Sequence, residues 1–281
     1  MNEPSAGSKL RERLRSGKLL PFMGVYDVFS ASLAARRCEA LFVSGFSFAA
    51  SHYGMPDIGF VAWSDLVQFV QRLRRVVPAH HLLVDIDDGF CDVQVACHVV
   101  KQMEVLGASA VVMEDQKRPR RCGHMDGRQI LPLEDFLPKL KAVLAARRDL
   151  FVIARTDASE PQEIKRRVTA FAEAGCDAVL ADGIRSLELL GEISRLVPRP
   201  VVFNQLAGGK SPICSMEELQ RQGVAMAIYS TICLFSAQAA VEQSLRDWAA
   251  DNGSLRRLKE RDADLGQCNE ALYGNLRQKV E

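Results

Sequence analysis

Carboxylates recur at the ends of apolar segments in this sequence. Asp85 and Asp87 close the segment HLLVDID, and Glu114 closes ASAVVME. Side chains two apart on a strand point to the same face, so both aspartates would face one mouth. Three carboxylates in one mouth repel each other unless a cation neutralises them, and an all-oxygen set suits a hard ion. These residues predict a site for Mg2+, or for Mn2+ as the alternative ion.

Arg155 ends another apolar segment and is followed by Thr156 and Asp157. Its guanidinium can offer a bidentate fork to a carboxylate or a phosphonate. The alternative is a structural ion pair with Asp157 or Glu114. Together with a metal, this arginine predicts a small anionic substrate that chelates the metal.

Other segment ends also carry polar or metal-competent groups. Two further acids have separate predicted roles. Asp115 is expected to act with Glu114 on the metal side of the site, and Asp88 is expected to cap the following helix. The clustering of such groups at segment ends favours a functional site over a surface loop. The further candidates are Ser44, Gly45, Asp182 and Asn204.

The loop after Glu114 holds Cys122 between basic residues and next to Gly123 and His124. Neighbouring positive charges lower the pKa of a thiol and favour the thiolate, and glycine lets the backbone approach a ligand closely. The loop therefore predicts a reactive cysteine beside the carboxylates. The other cysteines are scattered without a C-x-x-C pair, which indicates free thiols in a cytoplasmic protein rather than disulfides or a zinc site.

Eight apolar segments, typical of strands covered on both faces, alternate with segments of helical period. This alternation predicts a parallel sheet of the α/β class, and eight strands over about 230 residues predict a closed (β/α)8 TIM barrel. An open, doubly wound sheet is the alternative, but no glycine-rich dinucleotide turn follows the first strand. The strands are predicted at 19–24, 40–44, 81–86, 108–113, 150–154, 178–181, 200–203 and 224–229.

The chain is divided into three parts by this pattern. We expect a tail and short charged helix over 1–17, the catalytic barrel over 18–249 and a helical extension over 250–281 that packs on a neighbouring subunit. The net charge of +1 gives no argument for nucleic acid. No apolar run is long enough for a membrane span, and the N-terminus lacks a secretory signal, so no membrane partner is expected.

The ordered motifs SG…GMPD, DIDDGF, MEDQ, RPRRCGH, ARTDA and NQLAGGKSP resemble the isocitrate lyase and phosphoenolpyruvate mutase superfamily over residues 18–245. The short chain and the CGH loop resemble its branch of methylisocitrate lyase, 2,3-dimethylmalate lyase and oxaloacetate acetylhydrolase. The resemblance implies the same barrel in a homotetramer, a dimer of dimers whose paired subunits exchange the last barrel helix.

The resemblance also implies residue roles. Asp85, with Asp57, Asp87 and Glu114 acting largely through waters, would hold Mg2+. Cys122 would protonate the carbanion and Arg155 would bind the substrate carboxylate, and His124 is grouped with them as a catalytic residue. The other residues implied to contact substrate are Ser44, Gly45, Phe46, Gly123, His124, Asp182 and Asn204.

The function that follows is a Mg2+-dependent lyase, of the oxo-acid-lyase type, that cleaves the C2–C3 bond of a small 2-hydroxy or 2-oxo di- or tricarboxylate. The alternative is a phosphonate enzyme, either carboxyphosphonoenolpyruvate mutase-like or a phosphonopyruvate hydrolase, because such mutase-like members also carry CGH. A non-catalytic binding role is a third hypothesis. Related lyases have other residues at the positions of Phe46, Cys91, Asp182 and Ala207. We therefore expect the substrate of this protein to differ from theirs at the end that lies away from the metal.

Overall fold

A computed structural model describes residues 4–277 of the chain. Eight parallel strands pair in chain order, and the last strand returns to the first, with Leu20 opposite Met226. The predicted (β/α)8 barrel is therefore confirmed. The strands are β1 Leu20–Val25, β2 Ala40–Val43, β3 His81–Asp85, β4 Ala110–Glu114, β5 Phe151–Thr156, β6 Ala178–Ala181, β7 Val201–Asn204 and β8 Val224–Tyr229.

Helices precede, separate and follow the strands. Several begin at side-chain caps; for example, the Asp27 carboxylate accepts from the Ser30 backbone N–H at the start of α2. The helices are α1 Ala6–Leu14, α2 Val28–Ala34, α3 Gly45–Phe48, α4 Trp63–Arg74, α5 Val93–Val105, α6 Leu133–Ala146, α7 Pro161–Ala174, α8 Leu187–Leu196, α9 Met216–Arg221, α10 Ile232–Ala250, α11 Arg256–Arg261 and α12 Leu265–Arg277. A π-helical turn, Ala49–Tyr53, continues α3; the sequence pattern does not predict either element.

The side chains of each strand divide between two cores. Alternate residues pack outward against the helices, as Val111 and Met113 do on β4. The intervening residues, such as Ala110 and Val112, fill the interior of the barrel. Because this alternation has a period of two, it also fixes which residue at the end of each strand faces the mouth.

The N-terminal helix α1 closes the bottom of the barrel. Leu10 is fully buried in the interior core. Arg11 pairs with Asp149 at 2.7 Å and with Asp177 at 2.9 Å, both at the N-terminal ends of strands. The short charged helix expected near the N-terminus thus packs against the barrel.

The C-terminal helices lie outside the barrel. Within the described chain, α10 has no buried residue, and Val241, Leu245 and Trp248 are exposed along it. Two further helices, α11 and α12, follow it; the division of the chain into a barrel and a C-terminal extension, and the exchange of the last barrel helix between subunits, stay predictions. None of the helices in residues 4–277 combines the length and apolar character that a membrane span requires.

Replacing Leu10 with alanine should lower the free energy of unfolding by about 2–5 kcal/mol, because it opens a cavity in the barrel interior. Urea unfolding followed by circular dichroism measures the change. Leu265→Ala is the control, since Leu265 is 78% exposed and its loss should cost less than about 0.5 kcal/mol. Equal effects of the two substitutions would contradict the role given to α1.

Candidate active site

Seven strands carry a polar residue two positions after an apolar residue of the interior core. The last interior residue packs in the barrel, and the next residue on the same face reaches the mouth. The strand ends therefore direct a set of polar side chains into one space. These pairs are Phe42–Ser44, Leu83–Asp85, Val112–Glu114, Ile153–Arg155, Leu180–Asp182, Val202–Asn204 and Ile228–Ser230.

A cavity of about 200 Å3 lies at this mouth. Two predicted site residues, Asp87 and Glu114, lie behind its wall, and a side chain at Gly45 would meet Asp87 at 3.2 Å and Asp85 at 3.3 Å. All the predicted residues are thus brought to one place. Those that line the cavity are Ser44, Phe46, Asp57, Asp85, Cys122, Gly123, His124, Arg155, Asp182 and Asn204.

Arg120 occupies the centre of the predicted metal-side acids. Its side chain is 1% exposed, and it pairs with Asp57, with Asp87 at 3.2 Å and with Glu114 at 2.9 Å. Burial raises the pKa of Glu114 to about 8 and the pKa of Asp87 well above its usual range, although the charge of Arg120 opposes both shifts. The sequence places this arginine beside the cysteine and does not indicate that it reaches the acids.

Within residues 4–277, Asp85 is the metal-side acid with no charged partner within bonding distance. One of its oxygens accepts from the Asp87 backbone N–H at 3.1 Å, and the carboxylate faces the cavity. Burial raises its pKa, against the attraction of Arg155 and Arg120. Asp85 is therefore the carboxylate best placed to contact a cation in the cavity.

The charges around the cavity fit a hydrated cation. Two buried guanidiniums, on Arg120 and Arg155, face six buried acid groups. Burial favours the neutral forms of Asp87 and Glu114, and a nearby cation would favour their ionised forms. The six acids are Asp57, Asp85, Asp87, Glu114, Asp157 and Asp182. Among residues 4–277, no three His, Cys, Asp or Glu side chains converge to enclose a metal. This donor set suits an ion that takes one carboxylate directly and completes its shell with water and substrate, as Mg2+ does.

Arg155 is held by acids but keeps a free donor. Its Nη2 lies 3.1 Å from Glu114, 3.1 Å from Asp157 and 2.8 Å from Asp182, so the alternative of a structural ion pair is also correct. Its Nε is buried and has no hydrogen-bond partner in the part of the chain that the structure describes. Because a buried unpaired donor is costly, Nε provides a site for an oxygen of a bound anion.

The loop over residues 115–132, called the lid below, is closed over the cavity. Gly123 lies against Arg155 and Asp182, so an added Cβ would overlap both side chains and come within 2.7 Å of Asp157. His124 accepts the Lys210 backbone N–H at Nδ1, at 3.0 Å, and its Nε2 lies 3.4 Å from Asp182. The backbone at Gly123 and the side chain of His124 thus hold the lid against the ends of β5 and β6.

Asp182 is the anchor for His124 on the barrel side. Burial alone would raise its pKa, but the charge of Arg155 and the hydrogen bonds from His124 and Asn204 lower it below the usual range. Asn204 donates to Asp182 at 2.9 Å and accepts from the Ser230 hydroxyl. The ends of β6, β7 and β8 are thereby linked beneath the lid.

The prediction of a thiolate at Cys122 is wrong. Burial raises the pKa of this thiol to about 12, and the nearby Asp57 and Asp182 act in the same direction. Of the basic neighbours, Arg120 turns into the acid cluster and the side chain of Arg121 is exposed. The cysteine is therefore a protonated thiol at neutral pH, which suits a proton donor rather than a nucleophile.

Two acids have roles other than those predicted. Asp115 pairs with Arg167 at 2.8 Å and accepts from the Asp157 backbone N–H, so it braces the start of the lid rather than the metal side. Asp88 pairs with Arg118 at 2.7 Å and accepts from the Cys91 backbone N–H. The cap of α5 is Asp92.

The walls opposite the acids are apolar. Phe46 meets Phe235 edge-on, with ring centroids 6.1 Å apart, and Leu206 and Ala207 lie beside them. Sequence reasoning missed Phe42, Leu206, Ser230, Thr231 and Phe235 in this cavity. Phe42 could have been found two residues before Ser44 on the same face, whereas Phe235 lies on α10 and comes near only in the folded chain.

The barrel and its mouth define the class of this protein. Residues 10–249 match the family described as phosphoenolpyruvate phosphomutase. The chain belongs to this family, which confirms the resemblance to the isocitrate lyase and phosphoenolpyruvate mutase superfamily.

Two relatives of this chain are named as lyases. The 2-methylisocitrate lyase of Aeropyrum pernix is 33% identical over 245 residues, with 86% of this chain and 79% of the relative covered. The 2,3-dimethylmalate lyase of Eubacterium barkeri is 30% identical over 245 residues, with 84% of each chain covered. These lyases bear out the expected class, a carbon–carbon lyase.

Solved structures agree with the fold. Oxaloacetate acetylhydrolase in complex with the inhibitor 3,3-difluorooxalacetate has a TM-score of 0.91 and 27% identity, with 100% of this chain and 97% of the other covered. Phosphonopyruvate hydrolase in complex with oxalate and Mg2+ has a TM-score of 0.85 and 28% identity, with coverages of 99% and 98%.

Replacing Gly123 with alanine should lower kcat/KM by about 100-fold or more, because the added methyl group prevents the lid from seating on Arg155 and Asp182. Steady-state kinetics measure the loss. Gln129→Ala, which trims an exposed side chain of the same loop, should leave kcat/KM within about 2-fold. Full activity in the Gly123 variant would show that the closed lid is not needed.

Alkylation by iodoacetamide at pH 7 to 8 should modify Cys122 at least about 10-fold more slowly than the exposed Cys91, because only the thiolate reacts. Mass spectrometry of peptides over time measures both rates in one sample. A Cys122 rate that exceeds that of Cys91 and levels off below pH 8.5 would contradict the raised pKa.

Proposed function

We propose that this protein is a Mg2+-dependent lyase that cleaves the C2–C3 bond of a small 2-hydroxy or 2-oxo di- or tricarboxylate, by retro-aldol or retro-Claisen chemistry. The observation that carries the proposal is the shared cavity, in which Asp85, Arg155 and the protonated Cys122 face one space. The products are a 2-oxo acid, or oxalate, and a carboxylate.

The metal would be held on one side of the cavity. Asp85 would bind it directly, while Asp57, Asp87 and Glu114 would act through waters, with Arg120 balancing part of their charge. When bound, Mg2+ would supply Lewis-acid chemistry that lowers the pKa of a C2 hydroxyl. Mn2+ is the alternative ion.

The protein binds and orients the substrate from the other sides. The free Nε of Arg155 would donate to the substrate carboxylate, while Ser44, Gly45 and Phe46 would border the 2-oxo acid. A bidentate or charge-assisted bond of this kind fixes the anion more firmly than a neutral donor does. The remaining substrate groups would contact Gly123, His124, Asp182 and Asn204.

Cys122 would supply the proton that completes the reaction. A 2-oxo acid would first add one water at C2, which gives a hydrate that carries the C2 hydroxyl. As the C2–C3 bond breaks, its electron pair passes to C3, the C2 hydroxyl proton passes to a base on the metal side, and the Cys122 Sγ proton goes to C3. The charge of Arg155 and a hydrogen bond from the His124 backbone lower the pKa of this thiol against its burial, so both support the thiolate once it forms. The closed lid keeps water from the carbanion meanwhile.

A second candidate function, phosphonate chemistry, is favoured by one observation. The neighbour that is a phosphonopyruvate hydrolase shares the barrel over 99% of this chain, and a guanidinium such as that of Arg155 binds a phosphonate as readily as a carboxylate. Phosphorus NMR with phosphonopyruvate separates the two functions, since the proposed lyase leaves that compound unchanged.

The purified protein with Mg2+ should release pyruvate, glyoxylate or oxalate from at least one of methylisocitrate, 2,3-dimethylmalate and oxaloacetate, and excess EDTA should remove that activity. Coupled dehydrogenase assays and chromatography for oxalate measure the products. If none of the three substrates gave product with Mg2+ present, the lyase proposal would be overturned.

In the same assay, Cys122→Ser should lower kcat by about 10²–10⁴-fold, the usual contribution of a general acid. The variant should still bind Mg2+ and oxalate by calorimetry, because Asp85 and Arg155 are unchanged. A variant that loses nothing would favour a protein that binds carboxylates without this chemistry.

A further inference from the structure

A second cavity, of about 440 Å3, lies on the far side of the lid from the active site. Its walls are lid residues 125–128, the loop 158–161 after β5, the loop 183–186 after β6, and Lys210 after β7. We call it the outer cavity. Gly183, with a φ of 70°, lies where an added Cβ would be 3.2 Å from the Gly123 carbonyl and 3.3 Å from Arg128. One thickness of lid backbone thus separates the two cavities.

Three cations from three separate loops line the outer cavity: Arg128, Arg185 and Lys210. The one carboxylate among the lining residues, Asp126, pairs with Lys210 at 2.8 Å and is 95% exposed. Three positive charges less one negative charge leave an excess of two on the lining residues. A dianion would balance this excess.

Two of the three cations have unused donors. Arg128 donates from Nε to the Asp157 carbonyl at 2.9 Å, but its Nη1 is buried without a hydrogen-bond partner. Within residues 4–277, Arg185 takes part in no hydrogen bond or ion pair, and its charge acts on Asp126 only at longer range. Guanidiniums bind phosphate through paired N–H donors, and a buried donor left unpaired is costly.

We propose that the outer cavity binds a small phosphorylated molecule, and that this ligand holds the lid closed. A phosphate group between Arg128, on the lid, and Arg185, on the barrel, would tie the two together by charge-assisted bonds. The hydroxyl of Ser159 and the apolar side chains of Ile164 and Leu189 line the space beside them and would contact the rest of the molecule. Because Gly123 and His124 belong to the same lid, occupancy of the outer cavity favours the closed active site.

Calorimetry with glycerol 3-phosphate tests the binding, with inorganic phosphate as a second probe. One equivalent should bind the unmodified protein, and Arg185→Gln should weaken binding by at least about 10-fold. Arg199→Gln, an exposed arginine at the opposite end of the barrel, should bind as the unmodified protein does. Tighter binding of the ester than of inorganic phosphate would show that the whole cavity is used, and equal binding would assign the site to the ion alone and overturn the larger ligand.

Binding that survives in Arg185→Gln would place the anion at Arg155 instead and overturn the proposal, as would no binding below about 10 mM. Hydrogen exchange tests the effect on the lid. The ligand should slow exchange of the backbone amides in residues 116–130 of the unmodified protein but not of Arg185→Gln. Unchanged exchange at saturation would overturn the link to lid closure, and both measurements are independent of catalytic activity.

Discussion

An excess of buried carboxylates over buried guanidiniums governs the mouth of this barrel. Arg120 comes from the lid and reaches Asp57, Asp87 and Glu114, whereas Arg155 comes from β5 and reaches Glu114 again. Glu114 therefore joins the lid to a strand through two ion pairs. Removing one partner of a buried pair leaves an uncompensated charge that costs about 3–5 kcal/mol. The position of the lid and the state of the acid cluster depend on each other for this reason.

This coupling has a consequence for the thiol. With the lid in this position, the guanidinium of Arg120 is paired with the acids, so it is not available to stabilise a thiolate at Cys122 two residues later. The sulfur is buried in the same position, and burial raises the pKa of Cys122 to about 12. The lid thus holds a protonated thiol over the cavity, above a cluster in which buried acids outnumber buried guanidiniums.

The sequence predicts the barrel and most residues of the mouth because both follow from the period of two along buried strands. The polar residue that follows the last interior side chain, such as Asp85 or Arg155, is fixed by backbone geometry alone. The side chains of the loops carry no such constraint. The direction of Arg120, and the partner of Asp115 on α7, depend on which charges meet after folding. The spacing of residues along the sequence therefore could not predict these contacts. It also predicted a lowered pKa for Cys122, whereas the pKa is raised.

One end of the cavity is charged and the other is apolar. The two ends should therefore tolerate amino-acid substitutions to different degrees. The acids, Arg155 and the lid act through buried charge, where a single substitution costs several kcal/mol. The opposite end is formed by Phe46, Phe235, Leu206 and Ala207, where the resemblance places an acid in related lyases instead of alanine. A change of one methylene group in an apolar pocket alters discrimination by only about 1–3 kcal/mol. Substitutions at that end can exchange one small acid for another while the charged end keeps the same chemistry. Two relatives of about 30% identity are named as lyases of different carboxylates, 2-methylisocitrate and 2,3-dimethylmalate.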